Sequence, residues 1–212
     1  MEPDLVLHGS ASFSSPYVFS AFVALEEKRL PYELKLLSLA DREHERPEYR
    51  DASITGRVPA LRHGDFWLAE SSAIAEYLEE VFPPPAHPRL YPADPRERAR
   101  VRMVQALVRS DFLPVRTERT THVLFQGEPA GPLSPEAAAS AARLYRIAGA
   151  LLPDPSRHLA SIFTPADADL SLLLMRLVVT GEQVPPALAA WARRVWTRPS
   201  IRAWLAHTRF RG

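Results

Sequence analysis

Arg57-Val58-Pro59-Ala60-Leu61 is followed at short range by Phe66-Trp67-Leu68-Ala69-Glu70-Ser71-Ser72-Ala73-Ile74. Pro59 cannot donate a hydrogen bond to a β ladder, and it stands just ahead of two short apolar runs that are typical of strands. A cis Val58-Pro59 bond would turn the chain sharply and leave the backbone groups of Val58 open to a ligand. The stretch therefore predicts a turn, then a hairpin of two strands, then a helix.

The start of that helix is a second feature of the same stretch. Glu70-Ser71-Ser72 lies between a strand-like run and a helix-like run, so we expect the N–H groups of Ser71 and Ser72 at a helix N-terminus. Backbone N–H groups in that position attract carboxylates. The turn and the helix start together predict a cleft that accepts an anion.

The residues ahead of the stretch predict a strand, a helix and another strand. Leu5-Val6-Leu7-His8 suits a first strand, and Ser15-Pro16 is typical of the N-cap and first residue of a helix that reaches about Lys28. Glu33-Leu34-Lys35-Leu36-Leu37 suits a second strand, and residues 40–56 are polar and loosely helical. With strands at 60–62 and 66–68 and a helix to about Phe82, the predicted order is βαβ-α-ββα.

The residues after Phe82 predict a helical half. The proline-rich segment from Phe82 to Pro92 suits a semi-rigid linker. From Asp94 onward, apolar residues recur at helical spacing and no convincing strand is found. We expect helices from Glu97 to about Val115, from Ser134, from Thr164, at 186–197 and at 200–208.

The composition is that of an ordinary globular protein. The 212 residues are 46% hydrophobic and 24% charged, with a net charge of +1, which favours neither nucleic acid nor membrane as a partner. The chain has no cysteine, so disulfides, thiolate metal sites and cysteine nucleophiles are excluded. The acidic N-terminus and the lack of a membrane-length apolar run predict a cytoplasmic protein.

These features together resemble the cytosolic glutathione transferases, and in particular bacterial members that use serine. The resemblance covers essentially the whole chain and rests on Val58-Pro59, Glu70-Ser71, Leu90-Tyr91-Pro92, Thr164-Pro165-Ala166-Asp167 and Arg198-Pro199-Ser200-Ile201. It implies an α/β thioredoxin-like domain at 1–82 that binds glutathione, a linker at 83–93 and an all-α domain at 94–212 that forms the second-substrate pocket. It also implies a homodimer and no metal.

The resemblance assigns roles to individual residues. Val58, before a cis Pro59, is similar to the position whose backbone pairs with the cysteinyl part of glutathione. Glu70 and Ser71 are similar to the pair that holds the γ-glutamyl end, and Asp167 to a capping-box acid that serves folding. His44 and Arg57 are the candidates for the glycyl carboxylate.

The remaining role is to stabilise the glutathione thiolate. A free thiol has a pKa of about 8.5, and a hydroxyl at the positive end of a helix lowers it. Both Ser14 and Ser15 are candidates, because some relatives use the residue two before the proline and others the residue directly before it. We favour Ser15, since the Phe-Ser-Ser-Pro-Tyr-Val setting is more similar to bacterial members that use the adjacent serine.

The resemblance implies a transferase whose thiolate attacks an electrophilic carbon or the O–O bond of an organic hydroperoxide. An isomerase of the maleylacetoacetate kind and a non-catalytic interaction module with the same fold are the alternatives. Taken singly, Ser15 is also typical of a plain N-cap and His44 of a solvated side chain; only the joint order of the motifs favours function. In the helical half, the residues that could line a cleft are Arg109, Phe112, Arg116 and Arg119.

Overall fold

The chain divides into two compact units. A computed structural model describes residues 4–210. One unit ends at Leu90 and the other begins at Tyr91, and this boundary falls inside the segment 83–93 that the sequence predicts as a linker.

The first unit is a four-stranded sheet with helices. Its elements are β1 (Leu5–Ser10), α1 (Pro16–Lys28), β2 (Glu33–Leu37), a 3₁₀ turn (Glu43–Glu45), α2 (Pro47–Ser53), β3 (Ala60–His63), β4 (Phe66–Ala69) and α3 (Ser71–Val81). The strand order is β2-β1-β3-β4, with β2 parallel to β1 and β3 antiparallel to both β1 and β4. The predicted order βαβ-α-ββα is confirmed, and α2 is the helix that was expected within residues 40–56.

The strand register brings the ends of three strands, β1, β3 and β4, together at one edge of the sheet. His8 pairs with Ala60, and Ala60 pairs with Ala69. Because β3 runs antiparallel to its two neighbours, the C-terminal ends of β1 and β4 meet the N-terminal end of β3 at this edge. We call it the upper edge; the β1–α1 turn, the Val58-Pro59 turn and the start of α3 all adjoin it.

Close packing of α1 against β1 holds the first unit together. Helix α1 buries Phe19, Val23 and Leu25 completely. Gly9 makes this approach possible, since a Cβ added there would lie only 2.8 Å from Cγ1 of Val18. The turn that leads from β1 into α1 is therefore fixed close to the sheet.

The second unit contains only helices among the residues described. They are α4 (Pro95–Ser110), α5 (Leu113–Glu118), α6 (Thr121–Gln126), α7 (Pro135–Leu151), α8 (Pro165–Val178), α9 (Pro186–Val195) and α10 (Pro199–Leu205). Helix α8 is buried along its whole length and packs against α4 and α9. Its start carries the predicted capping box, in which the Asp167 carboxylate accepts hydrogen bonds from the N–H and the hydroxyl of Thr164 at 2.9 and 2.8 Å.

The helix predicted from Glu97 to about Val115 is in fact two helices, and this prediction was wrong. Helix α4 ends at Ser110, Asp111 is extended, and Phe112 has a φ of 59°. Pro114 explains the break, because it has no N–H to continue the hydrogen bonds of α4. Helix α6 was not predicted, since six residues carry too short a periodic pattern.

The residues proposed to line a cleft in the helical half mostly lie in the interior of that half. Phe112 and Arg119 are 3% and 2% exposed. Arg119 pairs with Glu182, and the Arg109 Nη1 donates to Oδ2 of Asp169 at 2.8 Å. These guanidinium groups are therefore committed to holding α8 and its neighbours.

Candidate active site

The upper edge of the sheet carries the residues that the sequence predicts as a site. Ser14 and Ser15 follow β1, Val58 and Pro59 precede β3, and Glu70 and Ser71 follow β4. Arg57 adjoins Val58, and the carbonyl oxygen of His44 lies 3.7 Å from a Cβ built on Gly56. Seven of the eight residues thus lie in segments that meet at this edge, and the turn that carries His44 adjoins Gly56, next to Arg57.

Ser15 is the N-cap of α1, as predicted. Its backbone is extended, its Oγ accepts a hydrogen bond from the N–H of Val18 at 3.3 Å, and Pro16 occupies the first helical position. Because a hydroxyl oxygen that accepts still has its own proton to donate, Ser15 can donate to a group that lies just beyond the N-terminus of the helix. The positive end of the helix dipole favours an anion there.

Ser14 is more enclosed than its neighbour. The residue is 7% exposed, and its Oγ lies 2.7 Å from Oγ of Ser12. Ser12 lies in turn 2.8 Å from Ser10. The Ser14 hydroxyl therefore belongs to a hydrogen-bonded chain, whereas the Ser15 hydroxyl bonds to the first turn of its own helix.

The peptide bond between Val58 and Pro59 is cis, as the resemblance to the family implies. The carbonyl oxygen of Arg57 accepts a hydrogen bond from the Tyr49 hydroxyl at 2.6 Å. Pro59 is buried and Val58 is half-buried, while Arg57 is exposed. The hydrogen bond from Tyr49 ties α2 to the residues that precede β3, and so fixes where Val58 presents its backbone.

Glu70 and Ser71 lie at the start of α3. Glu70 is exposed and has a φ of 68°, and its carbonyl oxygen accepts from the N–H of Ile74 at 2.9 Å. Ser71 is the first residue of the helix and is 2% exposed. No acidic residue occupies the first turn of α3, so nothing in that turn repels a carboxylate.

His44 lies on the 3₁₀ turn ahead of α2. Its imidazole is 23% exposed, and Nε2 lies 3.7 Å from Oε1 of Glu45. Its Nδ1 is buried and has no hydrogen-bond partner in the described part of the chain.

An aromatic cluster beneath this edge was not predicted. The ring of His8 lies 4.7 Å from Trp67 and 5.4 Å from Tyr49, measured between centroids. Burial, with smaller effects from Lys35 and Arg62, lowers the pKa of His8 from 6.5 to about 4, so the ring is neutral near pH 7. Through Tyr49, the cluster packs α2 against the sheet. The only sequence signal for it was an aromatic residue, Tyr49, in a polar segment.

Residues 4–210 contain neither a metal cluster nor a membrane-spanning helix. No group of three or more His, Asp or Glu side chains in that range could hold a metal ion. No helix there is long and apolar enough to cross a membrane.

Two family models match the chain. The glutathione S-transferase N-terminal domain matches residues 14–81, a range that includes all eight candidate residues, and the glutathione S-transferase C-terminal domain matches residues 94–209. The chain belongs to the glutathione S-transferase family. Its α/β first unit and helical second unit are those of the glutathione transferase fold, as predicted.

Individual relatives agree with the family. Glutathione S-transferase theta-1 of Bos taurus is 31% identical over 183 residues, which cover 82% of this chain and 75% of the bovine protein. Maleylpyruvate isomerase of a Ralstonia species is 38% identical over 102 residues, about half of each chain (48% and 47%). A glutathione transferase homologue from Burkholderia, solved with bound glutathione, superposes with a TM-score of 0.77 at 35% identity and covers 97% of both chains.

Proposed function

We propose that this family member is a serine-type glutathione transferase in which Ser15 donates a hydrogen bond to the sulfur of bound glutathione. The observation that supports this role is the N-cap of α1, where the Ser15 oxygen accepts from Val18 and leaves its proton to donate. A hydroxyl donor at the positive end of a helix stabilises the thiolate and lowers the thiol pKa below its free value of about 8.5. Ser14 is the alternative donor.

Glutathione in this proposal lies along the upper edge of the sheet. The backbone of Val58, ahead of cis Pro59, pairs with the cysteinyl part like an added strand. Glu70 holds the γ-glutamyl amine, and Ser71 holds the γ-glutamyl carboxylate at the start of α3. His44 and Arg57 serve the glycyl carboxylate, for which an exposed guanidinium is well suited. The glutathione bound by the Burkholderia homologue supports this assignment of the ligand.

The thiolate then attacks a second substrate. At an electrophilic carbon it forms a C–S bond as a leaving group such as chloride departs with the bonding electrons. At a hydroperoxide it attacks the O–O bond, and a second glutathione completes the reduction to an alcohol, water and glutathione disulfide. The protein contributes positioning and charge stabilisation, since the nucleophile belongs to glutathione.

The two halves have separate tasks in this proposal. Residues 1–82 bind glutathione, residues 83–93 link the halves, and residues 94–212 supply the second-substrate pocket. By likeness to its family, we place the protein in the cytoplasm and expect a homodimer.

A glutathione-dependent isomerase is the second candidate. It is favoured by the 38% identity to maleylpyruvate isomerase, although that match covers about half of each chain. Here the thiolate adds to a conjugated double bond, the resulting single bond rotates, and glutathione leaves unchanged. The same Ser15 geometry would serve this chemistry.

A turnover panel tests the proposal. Glutathione is supplied with a chlorinated nitroaromatic, cumene hydroperoxide, a mixed disulfide or maleylpyruvate, and the purified protein is also passed over immobilised glutathione. Ser15→Ala should lower turnover by roughly 100-fold, the typical cost of one charge-stabilising donor, while retention on the resin persists. Ser140→Ala, a serine on α7, is the matched control and should behave as the wild type.

Two results would count against the proposal in different ways. Full turnover in both Ser15→Ala and Ser14→Ala would remove the serine mechanism. A wild-type protein that is not retained on glutathione would remove glutathione as its ligand.

A further inference from the structure

Tyr49 contacts all three chain segments that meet at the upper edge. The centroid of its ring lies 5.4 Å from that of His8 on β1 and 6.1 Å from that of Trp67 on β4. Its hydroxyl donates to the carbonyl oxygen of Arg57, just ahead of β3, at 2.6 Å. These segments lead directly to or from the serines, the proline turn and the helix start of the candidate site. One side chain of α2 therefore links the three parts of the site.

The hydroxyl of Tyr49 is enclosed and keeps its proton. Tyr49 is 7% exposed, although it lies in a polar segment. Burial raises the pKa of this hydroxyl, with a smaller opposing effect from a hydrogen bond with Ser53. Because the hydroxyl is neutral near pH 7, its proton is always present for the bond to Arg57. The low dielectric of its surroundings strengthens that bond.

The bond to Arg57 acts on the peptide unit that also contains the N–H of Val58. The peptide bond between Arg57 and Val58 is trans and planar, so its carbonyl oxygen and its N–H point in opposite directions. A donor that fixes the carbonyl group therefore also fixes the direction of the N–H. Accepting a hydrogen bond at the oxygen also polarises the amide, which makes the N–H a stronger donor.

Other contacts already hold the loop that leads to Val58. The N–H of Arg57 donates to Oγ1 of Thr55 at 3.3 Å, and the N–H of Gly56 donates to Oγ of Ser53 at 3.2 Å. The packing of α2 on the sheet uses the aromatic ring of residue 49, which a phenylalanine would also provide. What the tyrosine hydroxyl adds is its bond to the peptide unit of Val58.

We propose that Tyr49 is a positioning residue for glutathione: its hydroxyl orients and polarises the Arg57–Val58 peptide, so that the N–H of Val58 donates to the cysteinyl carbonyl oxygen. This inference rests on the proposed function, in which the backbone of Val58 pairs with the cysteinyl part, and adds a residue to it. The N–H needs an acceptor, and the carbonyl oxygen is the acceptor of the cysteinyl backbone. Tyr49 itself touches no ligand atom in this arrangement, and Ser15 keeps its role at the sulfur.

Two ligands and one variant of the full-length protein test the role of the hydroxyl. S-methylglutathione carries the cysteinyl carbonyl, whereas an analogue with a trans alkene in place of the cysteinyl–glycyl amide keeps the shape but lacks this acceptor. Tyr49→Phe should weaken the binding of S-methylglutathione about 5-fold, the scale of one neutral hydrogen bond. The alkene analogue should bind the wild type and Tyr49→Phe equally, because the affected N–H has no partner in it. Titration calorimetry measures all four affinities.

Tyr32→Phe is the matched control. The Tyr32 hydroxyl donates to Oε1 of Glu26 at 2.7 Å, and burial raises its pKa as it does that of Tyr49. Tyr32 precedes β2, which runs parallel to β1, so it lies at the opposite end of the sheet from the upper edge. Both variants lose one tyrosine hydrogen bond, but Tyr32→Phe should bind S-methylglutathione as the wild type does.

Several results would overturn the inference. Unchanged binding of S-methylglutathione by Tyr49→Phe would show that the hydroxyl does not act on the site, and an equal loss for both ligands would show a purely structural role. The wild type alone gives a further test, since equal affinity for the two ligands would mean that no N–H of the site bonds to the cysteinyl carbonyl. A wild type that binds neither ligand would reject the proposed function itself, and this inference with it.

Discussion

His8 is a buried ionisable residue in the middle of a sheet. Its ring packs on Trp67 and Tyr49, and neither ring nitrogen has a hydrogen-bond partner among residues 4–210. Burial is the main reason that its pKa falls from 6.5 to about 4. The charged groups that act on it, Lys35 and Arg62, are both positive and lower the pKa further. The folded protein therefore holds His8 neutral.

This state makes the stability of the protein depend on pH. Below pH 6.5 the unfolded chain binds a proton at His8 that the folded protein does not bind until about pH 4, so the free energy of unfolding falls as the pH falls through this range. Protonation of His8 in the unfolded chain should lower the free energy of unfolding by roughly 2 kcal/mol between pH 7 and pH 5. Urea unfolding of the wild type and of His8→Phe measures it.

The His8→Phe variant separates the pH dependence due to His8 from that due to the Asp and Glu carboxylates. A phenyl ring keeps the aromatic packing but cannot bind a proton, so the stability of His8→Phe should fall less with acidification than that of the wild type. Identical slopes for the two proteins over this range would contradict the assignment.

At the scale of elements, one buried ion pair joins α1, α3 and the segment that follows them. Nζ of Lys28, at the end of α1, lies 2.6 Å from Oε2 of Glu79 on α3, and the two side chains are 0% and 5% exposed. Lys28 also donates to the carbonyl oxygen of Phe82 at 2.7 Å, and Glu79 accepts from the N–H of Leu90 at 2.9 Å. The pair thus fixes both helices and the end of the first unit.

Replacing only Lys28 of this pair should lower the free energy of unfolding more than replacing both charged residues. Lys28→Met leaves a buried carboxylate without its cation and should lower the free energy of unfolding by about 3–5 kcal/mol. In the double variant with Glu79→Gln, the amide oxygen can still accept from Leu90 and no charge is stranded, so the loss should be smaller. Urea unfolding of both variants measures the difference.

An exposed pair provides the control. Arg50 and Asp51 are 55% and 66% exposed in their side chains, so Arg50→Met should leave the free energy of unfolding almost unchanged. A Lys28→Met variant as stable as this control would show that the buried pair does not hold the two helices.

At the scale of the whole molecule, ligand binding and folding are linked. A ligand that binds only the folded state adds about 2.7 kcal/mol to the free energy of unfolding at 100 times its Kd. For a chain of this size, glutathione at that concentration should raise the Tm by roughly 5–10 °C. Thermal denaturation with and without glutathione measures the shift.

The same experiment tests where glutathione docks. Ser71→Ala removes the hydroxyl proposed to hold the γ-glutamyl carboxylate and should reduce the shift at a fixed glutathione concentration, whereas Ser140→Ala should retain it. Triglycine, a peptide without the thiol and the γ-linkage, should give no shift. An equal shift in Ser71→Ala and the wild type would remove Ser71 from the proposed site.

Local patterns in the chain were sufficient for the order of the elements, whereas the roles of the candidate site residues came from the resemblance to the family and stay predictions. Ser15-Pro16 predicted the start of α1, Val58-Pro59 the turn before β3, and Glu70-Ser71 the start of α3, because caps and prolines act on their own neighbours in sequence. The division into an α/β half and a helical half followed from hydrophobic periodicity in the same way.

Contacts between distant residues were settled only by the folded chain. The burial of Arg119, the buried Lys28–Glu79 pair and the hydrogen bond from Tyr49 to Arg57 have no signature in a local pattern. Each depends on which side chains the sheet register and the helix packing bring within a few ångströms. Sequence spacing specifies periodicity along a segment, whereas burial and hydrogen-bond partners depend on the segments that pack against it.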